Sequence, residues 1–244
     1  LREIRMEPLR KGRLCARLAR SDADIARAQA LRHEAFFGRP GLDTDGFDSI
    51  CGHMLIEDET GALLACYRLL ACPASEIGQS YSAQFYDLTR LAAYPGRCLE
   101  LGRFCARPGL PDPDLLRLAF GAMARLVDGY DIALLFGCAS FAGAEPAGHD
   151  TALRHLRAGH LGPQRWRPDR RAAEVLDLPE GAADRRQALA ALPPLLRLYL
   201  GIGGWVSDHA VIDRAMDTLH VFTAVEIATI PPARQGLFRA VAKS

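Results

Sequence analysis

Between residues 98 and 140 the chain passes from one apolar strand-like segment to another through a strongly amphipathic helix. Cys98–Ala106 reads as the first strand, Leu115–Val127 repeats apolar residues at helical spacing, and Ile132–Ser140 is almost continuously apolar. Such an uninterrupted run suits a central strand covered on both faces. Pro111-Asp112-Pro113-Asp114 punctuates the helix start, where the missing proline N–H does no harm. Upstream, Leu14–Leu18 reads as a strand. A helix capped at Ser21-Asp22-Ala23-Asp24 runs through Phe36 and ends before Gly38 and Pro40. His53–Glu57 and Ala62–Leu70 read as strands of a hairpin turning at Asp58-Glu59-Thr60-Gly61. This order predicts an α/β (α+β) fold, a mixed sheet flanked by helices.

Gly41–Gly52 reads as a polar loop with one helical turn, Pro73–Tyr86 as loop, and Asp87–Leu91 as a short helix. Gly143–Gln187 predicts long loops with a short helix. Ala188–Leu200 reads as helix interrupted at Pro193-Pro194, Leu219–Ile227 as a strand, and Pro232–Ala242 as a terminal helix. The apolar stretch Leu198–Val206 falls short of the roughly 20 residues that cross a bilayer, and reads as a buried helix end.

The 244 residues are 49% hydrophobic, enough for a sizeable core, and the net charge of +1 argues against a nucleic-acid partner. Seven cysteines, an odd number without a C-x-x-C pair, read as reduced thiols of a cytoplasmic protein. No N-terminal segment has the pattern of a secretion signal. Cys51 and His53 alone do not make a zinc site, so no metal is expected.

Charged residues inside apolar runs are costly unless paired or used. Glu100 and Arg103 lie in Leu99–Cys105, Arg68 lies in Cys66–Leu70, and Asp45 and Asp48 occupy the polar loop. In a regular strand Glu100 and Arg103 would face opposite sides. A β-bulge near Gly102 would bring them together and leave a backbone N–H able to hold an oxyanion. The pair is then catalytic or substrate-binding; alternatively it braces the sheet. Asp45 and Asp48 either order a substrate loop and hold a cation or simply cap a turn. Arg32 reads as fixing that loop through Asp48, while Arg68 reads equally as a carboxylate clamp. His53 is an alternative base, or a hydrogen-bonded structural histidine.

The motifs L-R-H-E-A-F, D-T-D-G-F-D-S-I-C-G-H, C-Y-R-L-L, Y-S-A-Q-F, E-L-G-R-F-C and F-G-C-A-S-F follow one another along the chain. Together with P-P-L-L-R-L-Y-L-G-I-G-G-W-V-S-D-H-A-V-I-D and D-T-L-H-V, they resemble the ornithine Nα-acyltransferase family of bacterial ornithine-lipid synthesis. That family is a branch of the GNAT (acetyltransferase-like) superfamily and is similar to acyl-homoserine-lactone synthases. Here L-H-V stands where the family more usually has T-D-V, and Asp217 where Asn is often found, which leaves the acceptor open.

The resemblance implies one GNAT-like domain over residues 1–244, with a core at about 13–142 and a C-terminal helical and strand extension at about 143–244. Its sheet would be largely antiparallel, with a bulge at the Glu100 strand. It implies transfer of a 3-hydroxyacyl group from acyl carrier protein to the α-amine of ornithine, giving lyso-ornithine lipid. No bound cofactor is expected, because the acyl group arrives on the carrier's phosphopantetheine. Arg107–Asp114, with its prolines and aspartates, fits that donor better than a pyrophosphate cradle does. By the same analogy Ser140 and Phe141 line the pantetheine arm.

Glu100 is the expected base for the acceptor amine. Arg165, Arg167, Arg170 and Arg171, with Trp166 as an aromatic anchor, are either a carrier-protein docking face or solvated surface. An acyltransferase for another amino acid, or an acyl-homoserine-lactone-type synthase, shares the same site residues. A non-catalytic membrane-associated or binding protein on this fold would leave Glu100 without a purpose. Peripheral contact with the inner face of the membrane is compatible with the product.

Overall fold

The computed structural model describes residues 4–110 and 113–232. In chain order the elements are β1 (Leu9–Lys11), β2 (Leu14–Leu18), α1 (Asp22–Phe37), β3 (Gly52–Glu57), β4 (Leu63–Pro73), β5 (Tyr86–Asp87) and β6 (Arg97–Ala106). They continue with α2 (Pro113–Gly129), β7 (Ile132–Ala142), α3 (Asp150–Gly159), β8 (Asp169–Arg170) and β9 (Val175–Asp177). Last come α4 (Arg185–Ala191), α5 (Pro194–Gly201), β10 (Trp205–Asp213) and β11 (Thr218–Glu226). The expected helix from Pro232 to Ala242 falls, apart from Pro232, outside the described residues.

Two compact units emerge. Of the described residues, the first comprises 4–72, 99–110, 113–132 and Pro232; the second comprises Pro73–Cys98 and Ala133–Pro231. This grouping differs from an expected core ending near residue 142: β7 and the 73–98 segment cluster with the C-terminal part.

In the first unit the strand order is β1-β2-β3-β4-β6, with β1, β2, β3 and β4 antiparallel in succession. Helix α1 starts where Ser21 Oγ accepts from Asp24 N at 3.2 Å and stops at Gly38, whose φ of 65° suits a residue without Cβ. Its apolar residues Ala28 and Leu31 pack with Leu55, Leu63, Cys66 and Cys105 on one face of the sheet. Arg17 on β2 bridges Asp24 at 2.7 Å and Glu57 at 2.7 Å, tying the helix start to two strands. Tyr67 points to the opposite face, where its hydroxyl donates to the Ala119 carbonyl of α2 at 3.2 Å. Strand alternation therefore puts Cys66 and Arg68 on the α1 face.

The second unit orders its strands β7-β11-β10-β9, all antiparallel. Helices α3, α4 and α5 cover one face through Leu153, Leu156, Leu192 and Leu196, packed on Phe141, Val206, Leu219 and Val221. Tyr86 packs on the other face against Phe222, at a ring separation of 5.7 Å.

Several expectations about this unit need correcting. Pro73–Tyr86 forms 3₁₀ turns at Ala74–Gln79 and Ser82–Gln84, and the helix expected at Asp87–Leu91 is a 3₁₀ turn at Thr89–Ala93. The 143–187 region carries β8 and β9 besides its helix. Leu198–Val206 is not one helix end: α5 stops at Gly201 and β10 begins at Trp205. Gly203, at φ 98°, makes the break, and a Cβ on Gly204 would lie 2.6 Å from the Tyr199 carbonyl. Ser207-Asp208-His209 hides β10 from sequence reading, because the β10–β11 register slips between Val206 and Ala210. No helix among the described residues is long and apolar enough to cross a membrane.

Candidate active site

In the first unit, α1, the loop after it, β4 and β6 converge on one ionic cluster. The loop is folded by its own carboxylates. Asp45 caps the 3₁₀ turn Gly46–Ser49 by accepting from Phe47 N at 2.9 Å, and Asp48 accepts in return from Asp45 N at 3.2 Å. Asp43 N donates to the Gln29 carbonyl at 3.1 Å, holding the loop against α1. Gln29, Arg32 and Phe36 lie three and four residues apart, so they share one helix face.

Arg32 is 1% exposed. Its Nε donates to Asp43 at 2.8 Å and its Nη2 donates to Asp48 at 2.8 Å and to the Asp43 carbonyl. Arg68 donates to Asp45 and lies 3.2 Å from Asp48. Across the β3–β4 pair from Arg68 stands His53, whose Nε2 donates to the Asp48 carbonyl at 3.0 Å. Burial lowers the His53 pKa, which keeps the ring neutral. Burial alone would raise Asp45 and Asp48. The Arg68 hydrogen bond on Asp45, and the Gln29 hydrogen bond and Arg32 charge on Asp48, more than offset it and hold both below the ordinary carboxylate range. Arg68 shows the mirror effect: burial works against its charge, and Asp45 raises its pKa regardless.

Strand β6 supplies Glu100, 3% exposed, and Arg103. Arg103 has φ 53°, the left-handed region, so the strand irregularity centres on Arg103 rather than on Gly102. Phe104 stays with Tyr67, at a ring separation of 5.6 Å, while Arg103 reaches Asp43 at 3.6 Å and Asp45 at 3.5 Å. Glu100 belongs to the same neighbourhood, since its charge helps raise Cys51, whose thiol burial pushes up to about 12. Glu100, Arg103, Arg32, Arg68, Asp45 and Asp48 thus form one cluster in one unit. Asp43 joins them as an ion-pair partner of two arginines, although sequence reading did not single it out. Its position in the Asp43-x-Asp45-x-x-Asp48 run was the available signal.

The remaining candidates lie in the second unit. Ser140 is exposed and Phe141 buried, on opposite faces of β7, so the two do not line one surface. Phe141 packs in the core beneath α3–α5. Arg167 lies 3.6 Å from Asp208 and Arg170 pairs with Asp177, whereas Arg165 lies over the Trp166 ring at 5.3 Å. Arg171 is exposed. No group of three or more metal-ligating side chains occurs among the described residues.

Residues 27–118, which contain the whole ionic cluster, match the model of the acetyltransferase (GNAT) domain. The fold is of the GNAT type, and the protein is an acyltransferase. The chain is 35% identical over 229 residues to the L-ornithine Nα-acyltransferase of Rhodobacter capsulatus, covering 86% of this chain and 88% of that protein. It is 36% identical over 246 residues to the L-ornithine Nα-acyltransferase of Brucella abortus, covering 91% and 87%. Among solved structures, FeeM, an N-acyl amino acid synthase from uncultured soil microbes, matches over 91% of this chain and 93% of its own. The identity there is 12% and the TM-score 0.47. The chain belongs to the L-ornithine Nα-acyltransferase family.

Proposed function

We propose that the protein transfers a 3-hydroxyacyl group from acyl carrier protein to the α-amine of ornithine, giving lyso-ornithine lipid. The relatives' shared activity supports the acceptor. The observation that carries it is the charge of the cluster. Three guanidinium groups (Arg32, Arg68 and Arg103) meet four carboxylates (Asp43, Asp45, Asp48 and Glu100). His53 and the Cys51 thiol are neutral. One negative charge is left over. Ornithine, with two ammonium groups and one carboxylate, complements it, and a neutral amino acid does not.

Asp45 is the most open of the three loop carboxylates, its side chain 25% exposed, and is our assignment for the side-chain ammonium. Arg68 and Arg103 face the α-carboxylate. Glu100 takes the proton that the α-ammonium must lose before its nitrogen can attack. The nitrogen bonds to the thioester carbonyl carbon, the oxyanion collapses, and the carbon–sulfur bond breaks. The pantetheine thiolate leaves and takes up the second proton, which the attacking nitrogen releases as the amide forms. The backbone amides about Gly102 are our candidates for the oxyanion. For carrier docking, exposed Arg165 and Arg171 beside Trp166 suit an acidic partner better than Arg167 and Arg170, which already have aspartate partners.

A competition assay tests the acceptor. With equal ornithine, lysine, glutamine and glycine and one acyl donor, ornithine should take most of the label. Equal acylation of glutamine would contradict the charge reading.

A further inference from the structure

Strand β3 carries one titratable ring into the ionic cluster. His53, Leu55 and Glu57 alternate onto the face that packs under α1. His53 is 3% exposed and stands across the β3–β4 pair from Arg68, which itself holds Asp45. Its Nε2–H is committed to the Asp48 carbonyl at 3.0 Å, and the Asp48 carboxylate lies 3.9 Å from the same nitrogen. A neutral imidazole has one N–H, which leaves Nδ1 a bare acceptor. No described residue hydrogen-bonds it.

A proton arriving on Nδ1 would be a buried donor without an acceptor, and a charge among charges. Burial opposes it first, and Arg32 from α1 and Arg68 from β4 add to that; Asp48 in the loop turn favours it, and the balance lowers the ring's pKa. The charge that β2 presents on this face, Arg17, is taken up by Asp24 and Glu57. Asp45 and Asp48 are held below the ordinary carboxylate range, so they keep their charges at pH 5. The cluster's balance therefore turns on the ring. With His53 neutral, three guanidinium groups and four carboxylates leave one negative charge; with His53 protonated they leave none.

We propose that His53 is a specificity-determining residue: neutral, it leaves the negative charge that draws a dicationic acceptor, and a proton on it and the bound acceptor exclude each other. The inference rests on the ornithine reading above and adds the group that sets the pH range of acceptor binding. The free protein then takes the proton more readily than the ornithine complex, so affinity weakens as pH falls. Ornithine itself keeps both ammonium groups between pH 7 and 5, and its charge is constant there. Its Kd by calorimetry should rise about threefold or more from pH 7 to pH 5, toward the roughly tenfold of an ordinary coupling between two sites. Reciprocally, ornithine should lower the midpoint of the His53 Cε1–H resonance, by about one pH unit for a tenfold coupling. His53→Gln keeps an N–H for the Asp48 carbonyl but takes no proton, and should hold Kd constant within about 1.5-fold over that range.

A wild-type Kd that is flat with pH, a His53 midpoint unmoved by ornithine, or a His53→Gln slope as steep as wild type overturns the inference and leaves the acceptor reading standing. If the variant does not fold, the His53 midpoint with and without ornithine decides alone. No ornithine binding at any pH, with or without carrier protein, overturns the acceptor reading and this inference together.

Discussion

Arg103 reaches to 3.5 Å from Asp45 while holding φ at 53°, a backbone conformation that side chains other than glycine seldom adopt. Strain of this kind, about 1–2 kcal/mol, persists where surrounding contacts enforce it. Here it marks an irregularity in β6 beside Glu100, which like Arg103 lies near the loop carboxylates. Arg103→Gly should relieve the backbone and remove the charge. Its melting temperature should stay within a few degrees of wild type while kcat/KM for ornithine falls at least about tenfold, the loss of one charge-assisted contact. Equal activity in the glycine variant would leave Arg103 a bracing residue.

Asp45→Asn keeps the turn's cap but removes the cluster's surplus negative charge. KM for ornithine should rise about tenfold or more, corresponding to a charged hydrogen bond of roughly 1.5–3 kcal/mol, with a smaller change in kcat. Any trace acylation of glutamine should not fall in step. A uniform loss for both acceptors would place Asp45 in loop folding alone.

Arg32 bridges buried Asp43 and half-buried Asp48 from the last turns of α1. Arg32→Met should destabilise the protein by about 3–5 kcal/mol in urea unfolding, because Asp43 and Asp48 lose their shared cation. A cost below about 1 kcal/mol would show that Arg68 and Arg103 suffice to hold the loop.

Stability should fall in two stages on acidification. His220 is held neutral with its pKa lowered to about 4 from the 6.5 of an exposed imidazole. The unfolded chain therefore binds the proton first, and stability declines as pH drops from about 6.5 toward 4. Asp24, lowered chiefly by its Arg17 hydrogen bond, and Asp45 and Asp48 contribute stability present above their ordinary value of 3.8 and lost as pH falls below it. Urea midpoints between pH 7 and 3 check both stages, and His220→Phe should make the upper one shallower while leaving the lower unchanged, the rest of the upper stage belonging to His53 and His160, whose pKa values burial also lowers.

Much of the first unit was legible in the sequence, because local signals and tertiary packing agree there. Ser21 and Gly38 bound α1 as caps, and Glu100, Arg103 and Arg68 stood out as charges in apolar strands. Spacing alone puts Glu100 and Arg103 on opposite faces of a regular strand; the irregularity expected near Gly102 falls on Arg103, which takes the left-handed conformation beside its ion pairs. The second unit was harder. Its β10 carries Ser207, Asp208 and His209 through a register slip, which erases the alternation that marks a strand. Phe141 and Ser140, neighbours in sequence, part to opposite faces. Two of the arginines near Trp166 find aspartates on β9 and β10, partners distant in the chain that spacing does not reveal.

The most direct measurement is mass spectrometry of purified protein incubated with 3-hydroxyacyl carrier protein and ornithine, beside a folded Glu100→Gln variant. The account predicts Nα-(3-hydroxyacyl)ornithine from wild type and a yield lowered about 100-fold or more in the variant, the usual scale for losing a general base. No acylated ornithine from folded wild type, or equal product from Glu100→Gln, would contradict it.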